Sequence, residues 1–153
     1  MKKYFFLAGL AVLLAGFWKM NKDVVAKTIW GEARGEGVTG MQAVANVIAN
    51  RVNATSHNKE YGTGWTGVCK KPYQFSCWNA GDINKAQMLI VTDLDSRYKE
   101  AKEIATKAIS GELPDITGGA TFYHAVGVNP AWNMGLLEKT AQIGRHVFYK
   151  YKK

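Results

Sequence analysis

Apolar residues recur at helical spacing in several stretches of the chain, and each such stretch predicts a helix. The clearest stripe begins after Thr39, a residue type that favours the N-cap position. It follows i, i+3, i+4 and i+7 through Met41, Val44, Ala45, Ile48 and Val52. A second stripe, after Asp95 and Ser96 as candidate caps and before a terminating Gly111, is formed by Tyr98, Ala101, Ile104, Ala105, Ala108 and Ile109. Both stripes are predicted to face the core.

Another helix is predicted before the first stripe, and a loop after it. Asn21 or Asp23 is expected to begin this earlier helix, and Gly35 and Gly37 are expected to break it. Residues 53–67 are polar and rich in glycine, which predicts an extended loop.

The pattern changes to β-type composition after Pro114. Residues 120–125 and 142–151 are rich in β-branched and aromatic side chains, so we expect them to pair as a small antiparallel β ribbon. Because side chains alternate along a strand, Tyr123 and His124 face opposite sides of it. The chain is therefore predicted to be a mostly helical α+β domain that follows an N-terminal leader.

The leader is a signal peptide or a signal anchor. Lys2 and Lys3 precede the uncharged residues 4–18, a run that fits the core of a signal peptide better than a full membrane span of about 20 residues. The sequence Ala15-Gly16-Phe17 is a poor cleavage site, so an uncleaved and weakly held anchor stays open. In either case the chain is expected to be exported.

Composition narrows the partners without choosing among them. The net charge of +8 suits polyanions, including an envelope rich in phosphate and peptide carboxylates. Three scattered histidines and two cysteines give no zinc spacing, so no metal or other cofactor is expected. Cys69 and Cys77 lie eight residues apart in a chain expected to be exported, which favours a local disulfide between them.

Glu32 is the acid around which the candidate chemistry is organised. It lies near Trp30 and between the small residues Gly31 and Ala33, so its carboxyl can face a cleft while partly desolvated, as general-acid work near neutral pH requires. The alternative is a solvated charge at a helix end. Glu36 would share a face with it on a continuing helix and is the candidate second carboxylate. The glycines around Glu36 favour instead a bond to backbone groups at a turn.

Four separated blocks carry a resemblance to a known family: WGEARGEGVTGMQAVANVIANRV, YQFSCW, ATFYHAVGVNPAW and IGRHVFY, in this order. Together they resemble the cell-wall hydrolase family typified by the spore cortex-lytic enzyme SleB, over residues 23–149. The resemblance implies a compact lysozyme-like or lytic-transglycosylase-like catalytic domain in residues 21–153, after a leader in residues 1–20. It also implies that the chain cleaves the MurNAc–GlcNAc bond of peptidoglycan with Glu32 as the catalytic acid.

The same resemblance implies contacts with the glycan. The block that holds Gln74 and Ser76 lies beside the catalytic glutamate in that family, so both residues are expected to touch substrate. Tyr123 and His124 are expected to line the site, and Trp132 to stack on a sugar ring. The expected partners are glycan strands in the periplasm or cell envelope and, through the leader, the inner membrane. No nucleic acid is expected as a partner, and the chain is expected to be a monomer.

Two outcomes of the reaction stay open. With a single acid, Glu32 protonates the glycosidic oxygen and then deprotonates the C6 hydroxyl of the sugar, which leaves a 1,6-anhydro-muramic end. With Glu36 as a second carboxylate, water is added instead, as in a hydrolytic muramidase. A phage endolysin and a bacterial wall-lytic enzyme both fit this description.

Rival functions use other residues. A peptidoglycan amidase or peptidase would use Cys77 or His124, and a non-catalytic basic module would bind wall or nucleic acid without needing Glu32. The order Ser76-Cys77-Trp78 matches a papain-type nucleophile only superficially. Phe75 stands where that motif has glycine, and no histidine lies far enough downstream.

Overall fold

The computed structural model describes the backbone of residues 2–153 and the side chains of residues 12–153. The helices are α1 (Lys2–Ala33), α2 (Gly37–Asn53), α3 (Asn58–Tyr61), α4 (Gly64–Cys69), α5 (Ile83–Ile90) and α6 (Ser96–Ser110). The strands are β1 (Phe122–Ala125), β2 (Leu137–Ile143) and β3 (His146–Tyr151). Short 3₁₀ turns are formed by Arg34–Glu36, Thr55–His57, Ser76–Trp78 and Met134–Leu136. The mostly helical α+β class predicted from the hydrophobic pattern is confirmed.

Helix α1 is continuous through the residues that were expected to begin a new helix. Asn21 is buried, and its side-chain oxygen accepts a hydrogen bond from the Thr66 hydroxyl at 2.8 Å. Asp23 accepts one from the Tyr98 hydroxyl, also at 2.8 Å. Because other elements engage both side chains, neither caps a helix, and the predicted helix start at these residues is wrong.

The part of α1 that precedes Asn21 carries apolar side chains in solvent. They include Val12, Leu13, Leu14 and Phe17, each more than half exposed. Among the described residues, no helix combines the length and the apolar character that a membrane crossing requires.

The core forms where α1, α2, α4 and α6 pack together, and α2 lies at its centre. The predicted stripe of α2 is confirmed, since its fully buried members are Met41, Val44, Ala45 and Ile48. The opposite side of α2 contacts the sheet, where Ala43 and Val47 pack against Phe148 and Ala120. The end of α1 meets the inner face of the sheet beside α2, where Tyr123 of β1 reaches Glu32.

Two signals at helix ends are also confirmed. The Asp95 side chain caps α6 by accepting the Tyr98 backbone N–H at 2.9 Å, and Gly111 ends that helix in the left-handed conformation. The break expected after α1 is present as the 3₁₀ turn, and α2 begins at Gly37, slightly before the expected cap at Thr39.

The sheet is antiparallel, with its three strands in the order β1-β3-β2. The expected pairing is confirmed for β1 and β3, in which Tyr123 lies opposite Phe148. The segment 142–151 is not one strand, however, because Gly144 turns the chain between β2 and β3 with a φ of 55°. The prediction of a two-stranded ribbon missed β2, an edge strand in which four of the seven residues are polar and Leu137 alone is buried.

The segment 53–67 is not an extended loop, because much of it folds into α3 and α4. Tyr61 is 1% exposed, and Val68 is fully buried. A few apolar residues thus anchor two short helices in the core, within a segment whose composition is otherwise polar.

The predicted disulfide between Cys69 and Cys77 is wrong, since both are free thiols. Each packs against a different turn of α1. Cys69 lies beside the Thr28 hydroxyl, whereas Cys77 lies against Gly31, where an added Cβ atom would be 2.7 Å from Cys77 Cβ. The segment between the two cysteines is therefore held to α1 by packing rather than by a covalent bond.

Candidate active site

Glu32 lies in the last turn of α1, one residue before the helix ends at Ala33. Ile29 and Ala33 are buried in the core, so the helix is held in position up to the acid. The Glu32 side chain itself is partly exposed. A carboxyl at a helix end, partly withdrawn from solvent, is the setting that the sequence predicts.

Three donors from two distant parts of the chain hold the Glu32 carboxylate. The Cys77 backbone N–H and the Ser76 hydroxyl donate to Oε1 at 2.9 and 3.2 Å. The Tyr123 hydroxyl donates to Oε2 at 2.9 Å. Both carboxylate oxygens are therefore engaged, and two of the predicted site residues, Ser76 and Tyr123, lie beside the acid.

Aromatic packing on the inner face of the sheet sets Tyr123 in place. Its ring centroid is 5.8 Å from that of Phe148 and 6.5 Å from that of Phe75. Burial raises the pKa of the Tyr123 hydroxyl well above its ordinary range, and the neighbouring Glu32 carboxylate raises it further. Tyr123 therefore stays protonated at neutral pH and acts as a hydrogen-bond donor.

The 3₁₀ turn Ser76–Trp78 supplies the other two donors and is bound to α1. Trp78 Nε1 donates to the Thr28 hydroxyl at 2.9 Å, and that hydroxyl donates to the Val24 carbonyl at 2.7 Å. Gly31, which has no side chain, gives Cys77 the room to lie against the helix. Gly31 thus sets the distance at which the turn approaches Glu32, a role that the sequence reasoning did not assign to it.

Neither cysteine has the properties of a nucleophile. Cys77 is 1% exposed, and Cys69 is fully buried. Burial raises the pKa of Cys69 to about 12, and burial beside Glu32 raises the pKa of Cys77 as well. Because the thiolate is the reactive form, these values argue against a cysteine amidase or peptidase. Within the described part of the chain, no group of three or more His, Cys, Asp or Glu side chains could hold a metal ion.

Glu36 is occupied by the turn between β2 and β3. Arg145 donates its backbone N–H to Oε2 at 3.0 Å and its Nε–H to Oε1 at 2.8 Å. These bonds, the backbone bond first, lower the pKa of Glu36 below its ordinary value. A Cβ atom on Gly144 would lie 2.5 Å from Oε2, so the turn closes tightly on the carboxylate. Glu36 thus joins the start of α2 to the hairpin, the structural role that its glycine neighbours favour.

His146 lies near both acids, and the sequence reasoning did not single it out. Its ring meets that of Tyr123 edge-on at 5.1 Å between centroids. Its Nδ1 atom is buried and has no hydrogen-bond partner among the described residues. Burial lowers the pKa of His146, against the opposing charges of Glu36 and Glu32. Strand alternation was the available signal, because residues 146 and 148 share one face of β3.

His124 and Trp132 lie away from Glu32, on the opposite face of the sheet from Tyr123. His124 Nε2 is 3.2 Å from the Tyr149 hydroxyl, and the two rings stack at 5.4 Å between centroids. Trp132 packs edge-on against His124 at 5.8 Å. The structure therefore does not bring these two predicted site residues together with the acid.

Gln74 lies in the same segment as Ser76 and is half-buried. Its backbone N–H donates to the Lys71 carbonyl at 3.1 Å. Its side chain forms no hydrogen bond within the part of the chain that the structure describes. Gln74 thus lies two residues from a Glu32 donor without contributing one itself.

Similarity to known proteins identifies the family to which the chain belongs. Residues 35–149, well over half of the chain, match the profile of the family described as cell wall hydrolase. The chain belongs to the cell wall hydrolase family. The resemblance expected from the four sequence blocks is confirmed. The profile match begins just after Glu32 and includes Tyr123 and His146.

Two solved structures of this kind are similar to the chain. The catalytic domain of the germination-specific lytic transglycosylase SleB from Bacillus anthracis superposes with a TM-score of 0.65 and 28% identity, over 85% of this chain and 93% of that chain. The catalytic domain of the Bacillus cereus SleB protein gives the same TM-score and identity, over 85% of this chain and 89% of that one. The cell wall hydrolase domain therefore has the fold of the SleB catalytic domains.

Full-length relatives are longer than this chain. Spore cortex-lytic enzymes of Halalkalibacterium halodurans and Oceanobacillus iheyensis are 28% and 30% identical to it over 134 and 135 residues, which is 88% of this chain in each case. The chain spans only 36% and 43% of their respective lengths.

Proposed function

We propose that this member of the cell wall hydrolase family cleaves the glycosidic bond between MurNAc and GlcNAc in peptidoglycan, with Glu32 as acid and base. The observation that carries the proposal is the set of donors that Ser76, Cys77 and Tyr123 direct at a partly exposed carboxyl. The similar SleB domain from Bacillus anthracis, described as a lytic transglycosylase, supports the same class of reaction.

The three donors suit the step in which the acid gives up its proton. Protonated Glu32 donates to the glycosidic oxygen, and the bond from that oxygen to C1 of MurNAc breaks. The carboxylate that remains is stabilised by the three hydrogen bonds. It then accepts the proton of the C6 hydroxyl, whose oxygen bonds to C1 and closes the 1,6-anhydro ring. Glu32 is protonated again at the end, and no water is consumed.

Glu36 favours this route over hydrolysis because it is paired with Arg145 and almost withdrawn from solvent. A second catalytic carboxylate must activate water or attack the sugar, and either task needs a carboxylate that the substrate can reach. Both oxygens of Glu36 accept hydrogen bonds from Arg145. Hydrolysis through Glu36 would require the hairpin to release it first.

Substitution of Glu32 tests the acid. Glu32→Gln keeps the size of the side chain and removes its titrating proton, so we expect lytic activity to fall at least about a hundredfold. Glu112→Gln is a matched control, because Glu112 is exposed beyond the end of α6. A folded Glu32→Gln protein that retains more than a tenth of the activity would remove Glu32 from this role.

The product tests the route. Mass spectrometry of digested peptidoglycan should show muramic ends about 18 Da lighter than hydrolysed ends, since no water is added. In water labelled with oxygen-18, the released ends should carry no label. Label in most of the ends would replace the anhydro route by hydrolysis and would give Glu36 a catalytic role.

We also propose that residues 1–20 direct the domain of residues 21–153 out of the cytoplasm, and that the leader can hold it at the membrane. The lysine pair before an uncharged run supports export. The exposed apolar side chains of α1, defined above, supply a surface suited to the membrane interface. N-terminal sequencing of envelope-bound and soluble protein separates the cases: Met1 or Lys2 indicates an anchor, and a start near Phe17 indicates cleavage.

A further inference from the structure

The segment between the two cysteines carries an unusual exposed residue. Tyr73 is 88% exposed, and its φ of 63° is the only positive value for a non-glycine residue in the described chain. An aromatic residue in the left-handed region is strained, and such strain tends to persist where a ligand is bound. Tyr73 lies three residues from Ser76, which donates to Glu32.

Beside Tyr73 the surface forms a cavity of about 320 Å³. Its lining includes Lys70, Lys71, Tyr73, Trp78 and Asn79 and contains no acidic residue. The Lys70 ammonium lies 4.9 Å from the centre of the Trp78 ring. None of the ion pairs among the described residues uses either lysine. The cavity thus offers unneutralised positive charge next to two aromatic rings.

The 3₁₀ turn Ser76–Trp78 contributes both to the cavity and to the surroundings of Glu32. Trp78, which forms a wall of the cavity, is hydrogen bonded to Thr28 on α1, one helical turn before Glu32. The preceding residues of the same 3₁₀ turn, Ser76 and Cys77, bind the Glu32 carboxylate. Because one turn contributes to both, we expect the substituents next to a glycosidic bond at Glu32 to reach this cavity.

Peptidoglycan has a substituent of matching chemistry. Each muramic acid bears a peptide on its lactyl group, close to the glycosidic bond, and that peptide carries free carboxylates and aliphatic side chains. Lysine ammonium groups pair with carboxylates, and aromatic rings cover aliphatic groups.

We propose that the cavity of Lys70, Lys71, Tyr73 and Trp78 binds the carboxylate-bearing peptide of the muramic residue next to the cleaved bond. Lys70 and Lys71 pair with a peptide carboxylate, and the rings of Tyr73 and Trp78 pack on the peptide's aliphatic part. The enzyme thus recognises the peptide as well as the glycan. This inference rests on the proposed function, because it assumes that the glycan lies at Glu32.

Binding to two forms of the wall separates peptide recognition from glycan recognition. Both forms are peptidoglycan freed of teichoic acid, so that no polymer phosphate is present. In one form an amidase has removed the peptides, and the lactyl carboxylates left behind have been converted to amides. The inactive Glu32→Gln protein is sedimented with each form, alone and with Lys70→Gln or Tyr73→Gly added. We expect each added change to weaken binding to the peptide-bearing form about threefold to fivefold, the scale of one exposed ion pair or one aromatic contact, and to leave binding to the bare glycan unchanged.

Two controls keep a loss of folding from imitating this result. Tyr73→Gly relieves the strained backbone while it removes the ring, and Tyr73→Phe keeps the ring and should bind normally. Lys107→Gln removes an exposed lysine of α6 that lies outside the cavity, so it should leave binding to both forms unchanged. Equal losses on both forms, or no loss on either, would overturn the proposal.

The proposed peptide site and the proposed cleavage of the glycan can be disproved separately. If wild-type protein releases no glycan fragments from either form, the proposed function fails, whereas the binding comparison still reports on the cavity. If the protein cleaves peptidoglycan but Lys70→Gln and Tyr73→Gly bind the peptide-bearing form normally, only the peptide site is lost.

Discussion

Glu32 and Glu36 lie four residues apart, yet the fold gives them opposite surroundings. Glu32 accepts one backbone and two hydroxyl hydrogen bonds, and no cation among the described residues is bonded to it. Glu36 has both oxygens bound to Arg145, and its side chain is only 10% exposed. Glu32 is thus a partly exposed carboxylate bound by neutral donors, whereas Glu36 is almost buried and paired with a cation. We therefore expect Glu32 to act in the reaction and Glu36 to hold the β2–β3 hairpin in place.

Among the changes around Glu32, Gly31→Ala should have the largest effect on activity. The added Cβ atom would lie 2.7 Å from Cys77 Cβ, so the turn that carries two of the donors must move away from the acid. We expect activity to fall about a hundredfold and the free energy of unfolding to fall by about 1–3 kcal/mol. Gly35→Ala is the matched control, since nothing lies within 4 Å of its added Cβ atom. Equal activity in the two variants would mean that the turn does not position Glu32.

Tyr123→Phe removes one donor and keeps the ring. Loss of a hydrogen bond to a charged group should lower kcat about tenfold to a hundredfold, with little change in KM. Tyr149→Phe makes the same chemical change on the opposite face of the sheet, where Tyr149 contacts His124 rather than Glu32. That control should remain within about twofold of the wild type. If the two variants lost activity equally, the two faces of the sheet could not be told apart by function.

Glu36→Gln should affect stability more than activity. The pKa of Glu36 is lowered from its ordinary value of 4.5, so the ionised group stabilises the fold at neutral pH. That contribution is lost as the pH falls below 4.5 through the lower pKa of the folded state. Denaturant unfolding of both proteins as a function of pH should therefore show a difference that is present at pH 7 and vanishes in acid. A hundredfold loss of activity at pH 7 in this variant would contradict the structural role.

Reduction or alkylation of the cysteines should have the smallest effect, because packing rather than a disulfide holds the Ser76–Trp78 turn against α1. Reductant should leave activity unchanged, and alkylation of the native protein should be slow because both thiols are buried. After denaturation without reductant, intact-mass analysis should show two alkylated cysteines. If the denatured protein is alkylated only after reduction, Cys69 and Cys77 form a disulfide, and packing alone does not hold the Ser76–Trp78 turn.

Local signals in the sequence predicted the elements whose cause is local. The apolar stripe of α2, the Asp95 cap and the terminating Gly111 depend on residues a few positions apart, and each lies where it was expected. The family resemblance pointed to Glu32, Ser76 and Tyr123, which the fold brings together.

Signals that compete with tertiary contacts failed. Asn21 and Asp23 have cap chemistry, but partners on α4 and α6 engage both side chains and α1 continues past them. The two cysteines have a spacing that suits a disulfide, but Cys69 packs beside Thr28 and Cys77 packs against Gly31. In both cases the residue type allowed two roles, and the choice between them depended on contacts far away in the chain.

The sequence by itself determined the core-facing stripes of α2 and α6, the alternation that separates Tyr123 from His124, and the chemical identity of the candidate acid. Only the tertiary structure decided which groups meet that acid. The bond from Tyr123 to Glu32 spans 91 positions, and the one from Arg145 to Glu36 spans 109. Periodicity and capping act over a few residues, so they cannot specify such pairs. The packing of α2 against both the core helices and the sheet brings these groups together and gives the two neighbouring glutamates different roles.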